Sequence, residues 1–439
     1  MFDISTVAIG YGGLAVLVIL MAMRLPIGIA LGTVSVGGIA MLRSADAAIA
    51  ALAGLPFEFA ANWSLSAVPM FLLMGAVAFH SGLTSNLFSA AKVWLSFLPG
   101  GLAIATNFAS AGFAAVSGSS LATAAAMGRI AIPEMLKARY EPGLAAAVVA
   151  ASGTLGSLIP PSILFVLYGV FTEQSIAKLL LAGLLPGLLT AFVYAAMIIG
   201  RCSLNPKLAP PTVERATLAE RMAELRKVWP VPVLILAVVG SLYSGVATTT
   251  EAAAVGAFMT FVIAALQRKL TWQVFKGSVL ESLASTASIF FVAIGAVLLT
   301  RFLAMSGVPN HLAQLMGSWA LDPTLVVLGA SLIYLFLGMF LDPIGLMLIT
   351  LPVLMPMFQE LNLDLIWIGV LVVKYLEIGL LTPPVGLNAY VVSGVMGKEI
   401  PLSTVFRGLF WFVGAEAVIM VLLISFPQIS LYLPSLMAN

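Results

Sequence analysis

Two short stretches place a glycine and then a Pro-Pro pair inside long apolar segments. They are residues 156–162 (GSLIPPS) and 379–385 (GLLTPPV). Two consecutive prolines remove backbone donors and clash with the preceding turn, so they interrupt a helix. Unwound backbone at membrane depth is tolerated where it is buried in protein or lines a polar cavity. Both stretches are therefore candidate binding sites for ions or a polar substrate.

Hydroxyl and small residues cluster at these two breaks and at two further interruptions, 117–120 (SGSS) and Asp342-Pro343. Open helix ends leave backbone carbonyls without partners, and carbonyl, hydroxyl and carboxylate oxygens are ligands for hard cations. The competing interpretation of any one serine is that it packs helices. We predict sodium as the coupling ion and no other cofactor. The predicted cation ligands are Ser117, Ser119, Ser120, Gly156, Ser157, Ile159, Asp342, Gly379, Leu380 and Thr382.

Asp342 is a carboxylate inside an apolar segment. Such a group is costly to bury and usually faces a cavity or a partner. Alternatively, an aspartate before Pro343 forms a turn at the aqueous boundary. Both interpretations place Asp342 where a bound ion would be sensed.

Other charged residues of the apolar segments have simpler explanations. Lys374 and Glu377 lie one helical turn apart, which favours a structural ion pair over a proton relay. Glu251 follows three threonines and is expected to cap a helix. His80 and Arg129 lie near predicted span ends, where long polar side chains extend to the interface.

The elements that hold these residues are membrane helices. The chain of 439 residues is 61% apolar and only 9% charged, whereas a soluble domain carries roughly 25% charged residues. One cysteine and two histidines leave no disulfide framework and no haem or iron–sulfur ligand set. A phosphate-binding loop motif and a basic, aromatic-rich face for nucleic acid are also absent from the sequence.

We predict an all-α integral membrane protein of about ten spans plus two re-entrant hairpins. The first half (1–200) contains a hairpin at 101–136, which includes the serine cluster, and a broken helix at 141–172. A basic linker at 201–229 joins it to the second half (230–439), with a hairpin at 323–359 and a broken helix at 363–395. The full spans are predicted near 5–24, 26–42, 66–82, 178–200, 230–246, 249–267, 284–304 and 403–426, with amphipathic stretches at 84–98, 214–228 and 308–320.

The two halves are predicted to be inverted repeats. One constant offset places Pro133 on Pro356, Gly156 on Gly379, Pro160 on Pro383 and Pro161 on Pro384. Five crossings in each half, an odd number, require the second half to enter from the opposite face. The distribution of Lys and Arg, including Arg215 and Lys398, agrees with a cytoplasmic linker and periplasmic termini.

The motifs taken in order resemble the large membrane subunit of tripartite ATP-independent periplasmic (TRAP) transporters. They are 117–120 (SGSS), 159–162 (IPPS), 249–254 (TTEAAA), 338–342 (GMFLD) and 377–388 (EIGLLTPPVGLN). The resemblance implies an elevator-type, sodium-coupled importer of an organic anion, commonly a carboxylate. It also implies a soluble periplasmic binding protein and a small four-span membrane subunit as partners.

The resemblance places the ion sites on the first hairpin tip with Gly156 to Pro161, and on Asp342 with Gly379 to Pro383. This chain departs from the family at two positions. The family often has an aspartate where this chain has Thr123, and a proline where it has Thr249. Both departures leave the identity of the substrate open.

We therefore expect a permease subunit in the bacterial inner membrane, surrounded by lipid, with no enzymatic activity. Helix N-termini at the breaks would meet the anion, and the predicted substrate contacts are Ser120, Pro161, Thr382 and Pro384. One alternative is an antiporter-like subunit of an energy-converting complex, with Lys374 and Glu377 as its proton relay. Another is a passive channel.

Overall fold

The computed structural model describes residues 5–210, 216–318, 322–397 and 399–437, and within these it contains helices and connecting segments without strands. The predicted positions Arg215 and Lys398 lie outside the described residues. In the first half, the α-helices are Thr6–Ala22, Ile27–Leu42, Ala45–Ala60, Ala67–His80, Leu83–Leu95, Gly101–Ser117, Ser120–Lys137, Pro142–Gly153, Ile163–Thr172 and Ile176–Leu204.

The remaining helices begin within the linker and continue through the second half. Their bounds are Leu218–Lys227, Pro230–Tyr243, Thr249–Leu266, Trp272–Ser306, Val308–Ser318, Pro323–Gly338, Pro343–Glu360, Leu365–Gly379, Leu387–Met396, Leu402–Ser425 and Gln428–Ser435. Among the described residues, six helices have the length and apolar composition to cross a membrane, or seven if Leu218–Lys227 and Pro230–Tyr243 form one bent span. Because the shorter apolar helices have 10–17 residues, the predicted number of ten spans stays a prediction.

Both predicted hairpins are present as pairs of helices. In the first hairpin (101–137), Gly118 ends one limb with φ +65°, and Ser119 caps the other by accepting from the Ala122 N–H. In the second hairpin (323–360), Asp342 caps the second limb and Pro343 occupies its first turn, where proline costs no hydrogen bond. Local capping chemistry therefore sets both tips.

Both broken helices are interrupted at the predicted glycine and proline positions. The first limb of the first broken helix (142–172) ends in a 3₁₀ turn over Thr154–Ser157. The second limb begins at Ile163 and is capped by Ser162. The second broken helix (365–396) stops at Gly379 and restarts at Leu387. The Pro-Pro peptide bonds of both breaks are cis.

Three parts of the helix assignment were wrong. The helix Ala45–Ala60 was not predicted, because Asp46, Pro56 and Glu58 lower its apolar character. The predicted span at 284–304 belongs to a helix of 35 residues, Trp272–Ser306, called the long helix below. A short helix, Gln428–Ser435, follows the last span. The inverted repeat remains a prediction.

The helices form two packed groups that meet at the hairpin tips. In one group, the long helix packs against Ile27–Leu42 and Ala67–His80, and Thr249–Leu266 packs on the latter. In the other group, Leu402–Ser425 packs along Pro142–Gly153, and Ile176–Leu204 contacts both broken helices. The two groups are in contact where Gly75 lies against the first hairpin tip. A Cβ on Gly75 would lie 2.9 Å from Ser117 Cα.

Two helices begin with complete capping boxes. Glu251 accepts from the Thr248 N–H at 2.8 Å while Thr248 Oγ1 accepts from the Glu251 N–H, so the predicted capping role of Glu251 is confirmed. The linker helix Leu218–Lys227 starts in the same way with Thr217 and Glu220. The hydrogen bond from the Thr217 N–H lowers the pKa of the exposed Glu220 carboxyl.

Candidate ion and substrate site

The tip of the first hairpin is held by hydroxyl hydrogen bonds. Ser117 Oγ lies 2.9 Å from Thr123 Oγ1, and Thr123 Oγ1 donates to the Ser119 carbonyl at 2.8 Å. Since Thr123 has one hydroxyl proton, Ser117 is the donor of the first bond. Thr123 therefore ties both ends of the tip together.

Ser120 connects the first hairpin to both broken helices. Its Oγ lies 2.7 Å from Ser157 Oγ and donates to Glu377 Oε2 at 2.6 Å. All three side chains are buried. Ser120 and Ser157, both predicted cation ligands, thus lie together, and the carboxylate that Ser120 also contacts comes from the second broken helix and was not predicted here.

Glycines allow each broken helix to approach its own hairpin tip. A Cβ on Gly156 would lie 2.5 Å from the Ser119 carbonyl oxygen, and one on Gly379 would lie 2.7 Å from the Gly338 carbonyl oxygen. Backbone-to-backbone contact of this kind excludes any side chain. The close approach brings the polar backbone groups of the hairpin tips next to those of the breaks.

We expect Gly156→Ala to destabilise the protein by about 1–3 kcal/mol, because the added methyl group must displace backbone at the hairpin tip. The measurement is the thermal unfolding midpoint of the purified protein in detergent. The matched control is Gly329→Ala in the second hairpin, where a Cβ meets nothing within 4 Å. An alanine there is expected to be neutral or slightly stabilising, and equal midpoints for the two variants would contradict the prediction.

Two predicted residues of the first break have mainly structural contacts. Ile159 is buried, and its N–H donates to the Leu155 carbonyl at 3.0 Å. Pro161 faces the hairpin tip with its carbonyl oxygen, which would lie 2.8 Å from a Cβ on Gly118. Both residues therefore seat the tip on the break.

Asp342 lies at the tip of the second hairpin and is half-buried. Its Oδ2 accepts from the Gly345 N–H at 2.8 Å, so one interaction of the carboxylate is with its own helix end. Leu380 is buried, and its carbonyl accepts from the Asn388 N–H at 3.1 Å. Thr382 Oγ1 donates to the Ile378 carbonyl at 2.7 Å, whereas Pro384 is exposed.

A cavity of about 440 Å³ lies where the two hairpin tips face each other. It is lined by five predicted residues: Ser119, Ser120, Ser157, Asp342 and Leu380. Its lining also contains Glu377 and two serines of the long helix, Ser285 and Ser288. The other predicted residues do not line it; they are Ser117, Gly156, Ile159, Pro161, Gly379, Thr382 and Pro384. We call this space the central cavity.

A pattern in the sequence indicates the lining role of Ser285 and Ser288. The long helix carries Ser278, Ser282, Ser285 and Ser288 at spacings of three and four residues in an otherwise apolar segment. This spacing places hydroxyl groups along one side of a helix. A polar side on an apolar helix indicates that this side lines a cavity.

A second cavity of about 400 Å³ adjoins the central cavity and shares Leu72, Ser119 and Ser285 with it. His80 and Arg129 line this second cavity. His80 Nε2 lies 2.8 Å from Glu281 Oε2.

The predicted ion pair between Lys374 and Glu377 is wrong. Lys374 is fully buried, and its Nζ lies 2.6 Å from Glu416 Oε2 and 3.0 Å from Thr190 Oγ1. Tyr194 also donates to Glu416. The proton-relay alternative loses its basis, because Lys374 is paired with Glu416 and Glu377 with Ser120. A lone acid in the apolar segment 402–425 was the available signal.

Hairpins that meet broken helices around an internal cavity are typical of membrane transporters. The fold matches that of a solved transporter: the chain aligns with the Alcanivorax borkumensis YdaH transporter with a TM-score of 0.61 and 18% identity, covering 88% of this chain and 90% of that one. The model of the family "Tripartite ATP-independent periplasmic transporter, DctM component" matches residues 14–429. The chain therefore belongs to this family of multi-pass membrane proteins.

Curated relatives cover nearly the whole chain. The C4-dicarboxylate TRAP transporter large permease protein DctM of Pseudomonas aeruginosa is 36% identical over 91% of this chain and 92% of its own length. The sialic acid TRAP transporter large permease protein SiaM of Vibrio cholerae is 33% identical over 85% of this chain and 87% of its own length. The resemblance predicted from the motifs is confirmed.

Proposed function

We propose that this chain is the large permease subunit of a sodium-coupled transporter that imports an organic anion, a carboxylate. The observation that supports this most directly is the central cavity. It joins hydroxyl groups of Ser120, Ser157 and Ser288 to the carboxylate of Asp342 in an apolar protein. Hydroxyl groups are hydrogen-bond donors for a carboxylate, and carboxylate oxygens are ligands for sodium.

The substrate class is supported by the relatives. A C4-dicarboxylate and sialic acid, both acids, are named as substrates of those two proteins. The second cavity adds a cationic side chain, Arg129, beside the central cavity. A guanidinium group there would attract an anion on its way through the protein.

We further propose an elevator mechanism based on two inverted repeats. The two hairpins and two broken helices would form the mobile body, and the group around the long helix would form the scaffold. The buried pair of Lys374 and Glu416 links the second broken helix to Leu402–Ser425, while Thr190 adds Ile176–Leu204. We therefore assign these two helices to the mobile body as well.

The proposed partners are a soluble periplasmic binding protein and a small four-span membrane subunit, with lipid around the assembly. The proposed location is the bacterial inner membrane, with both termini periplasmic and the linker cytoplasmic. The family description, which names a tripartite periplasmic transporter, supports the presence of the partners. Substrate selection would then begin in the binding protein.

The decisive test is uptake of labelled succinate or sialic acid, one at a time, into sealed vesicles. The vesicles contain this chain and its membrane subunit, and the binding protein is added outside. We expect uptake to require both the binding protein and an inward sodium gradient. Uptake that is independent of the sodium gradient would contradict the proposed sodium coupling. Uptake without the binding protein would contradict the proposed delivery of substrate by that protein.

We expect Ser288→Trp to abolish this uptake while the protein remains folded, because the indole would occupy the central cavity. The matched control is Leu283→Trp on the same helix, where the leucine is 60% exposed and does not line the central cavity. The control should transport at the wild-type rate. Normal uptake by Ser288→Trp would show that substrate does not pass through this cavity.

A further inference from the structure

We propose that Glu377 is the charged ligand of a sodium site at the first hairpin tip. The inference deepens the proposed sodium coupling and rests on it. The ligands predicted from the sequence at this tip offer only hydroxyl and carbonyl oxygens, and Glu377 adds a carboxylate to them. This carboxylate reaches the site from the second broken helix, 257 residues beyond Ser120 in the chain.

The hydrogen bonds around Glu377 have a defined direction. Ser120 donates its single hydroxyl proton to Glu377 Oε2 at 2.6 Å. The bond of 2.7 Å between Ser120 and Ser157 must therefore be donated by Ser157. Both serine protons are thus used, and the remaining lone pairs on the two hydroxyl oxygens are available to a cation.

One oxygen of Glu377 has no such partner. Glu377 is 1% exposed, and its Oε1 is buried without a hydrogen-bond partner among the described residues. A buried polar atom of this kind is costly unless something binds it. Because Glu377, Ser120 and Ser157 all line the central cavity, a ligand can reach them from that cavity.

Among the described residues, the carboxylate of Glu377 also has no cation within ion-pair distance. Lys374, one turn away, is already within 2.6 Å of Glu416. An unpaired carboxylate in the interior is strongly unfavourable, and a hard cation bound by carboxylate and hydroxyl oxygens would neutralise it. Lysine and arginine are absent from the lining of the central cavity, so a small cation is the fitting counter-charge.

Sodium bound here would connect three elements. Ser120 belongs to the first hairpin, Ser157 to the first broken helix and Glu377 to the second broken helix. An ion held by all three would fix the hairpin tip against both breaks. Sodium binding would therefore organise the wall of the central cavity before the anion arrives, which is a physical basis for coupling.

The test measures the sodium dependence of thermal unfolding for the purified transporter complex, with choline chloride keeping ionic strength constant. We expect the wild-type midpoint to rise with sodium and Glu377→Gln to require at least tenfold more sodium for the same rise. Glutamine keeps the shape and can accept from Ser120, but it removes the charge. Glu360→Gln, an exposed carboxylate on the second hairpin, is the control and should respond as wild type.

The outcomes separate this inference from the proposed function. A wild-type sodium response in Glu377→Gln overturns the role of Glu377 and leaves sodium coupling intact. Absence of any sodium response in the wild-type complex overturns the proposed coupling itself, and the Glu377 site with it. If Glu377→Gln cannot be purified, Ser157→Ala provides the second test. We expect a several-fold weaker sodium response, and an unchanged response would overturn the site.

Discussion

Replacement of Lys374 by methionine is expected to destabilise the protein by about 3–5 kcal/mol, because it leaves the Glu416 carboxylate buried without its cation. Lys374 and Glu416 are 0% and 1% exposed, so solvent cannot compensate for the missing partner. The thermal unfolding midpoint in detergent measures the loss. An unchanged midpoint would mean that Glu416 is not held as an ion pair.

The double variant Lys374→Met, Glu416→Gln provides the control. It removes both charges, and the glutamine can still accept from Tyr194. We expect most of the lost stability to return, since the net worth of a buried ion pair is much smaller than the cost of breaking it. The double variant should also transport, whereas a proton relay through Lys374 would be abolished in it.

Asp342→Asn is expected to reduce uptake to the rate observed without a sodium gradient. Asparagine caps a helix about as well as aspartate, so the hydrogen bond to the Gly345 N–H is kept while the negative charge is lost. Folding should therefore be preserved, and the loss should be specific to ion coupling. Uptake in sealed vesicles with and without a sodium gradient is the measurement.

Asp322→Asn is the matched control for this variant. Asp322 caps the other limb of the same hairpin by accepting from the Thr324 N–H at 2.7 Å, but it is exposed and lies outside the central cavity. We expect wild-type uptake from this control. Sodium-driven uptake by Asp342→Asn would identify Asp342 as a turn residue, the alternative that the sequence left open.

The positions of the breaks and tips were predictable because they depend on local chemistry. Consecutive prolines cannot continue a helix, and Gly118 and the Asp342-Pro343 pair have conformational preferences that a neighbour rarely overrides. The structure accordingly places both hairpin tips and both breaks at the predicted residues. Apart from the start of the long helix at Trp272, the ends of the predicted full spans lie within a few residues of the observed helix ends.

Partners between distant elements were harder to predict. Lys374 and Glu377 are neighbours on one helix, and sequence spacing alone suggested that they pair. Tertiary packing turns the lysine toward Glu416 and the glutamate toward Ser120. Such contacts depend on how helices rotate against each other, which a hydrophobicity pattern specifies poorly when a helix is apolar on all sides.

The wall shared by the two cavities has a consequence for ion leakage. Leu72, Ser119 and Ser285 border both cavities, so the side chains of these three residues lie at the boundary between the two spaces. Ser119 belongs to the first hairpin and the other two to the group around the long helix. In the proposed transport cycle, a boundary made from both groups would open through a small displacement and close again, and its fit would limit the uncoupled flow of ions.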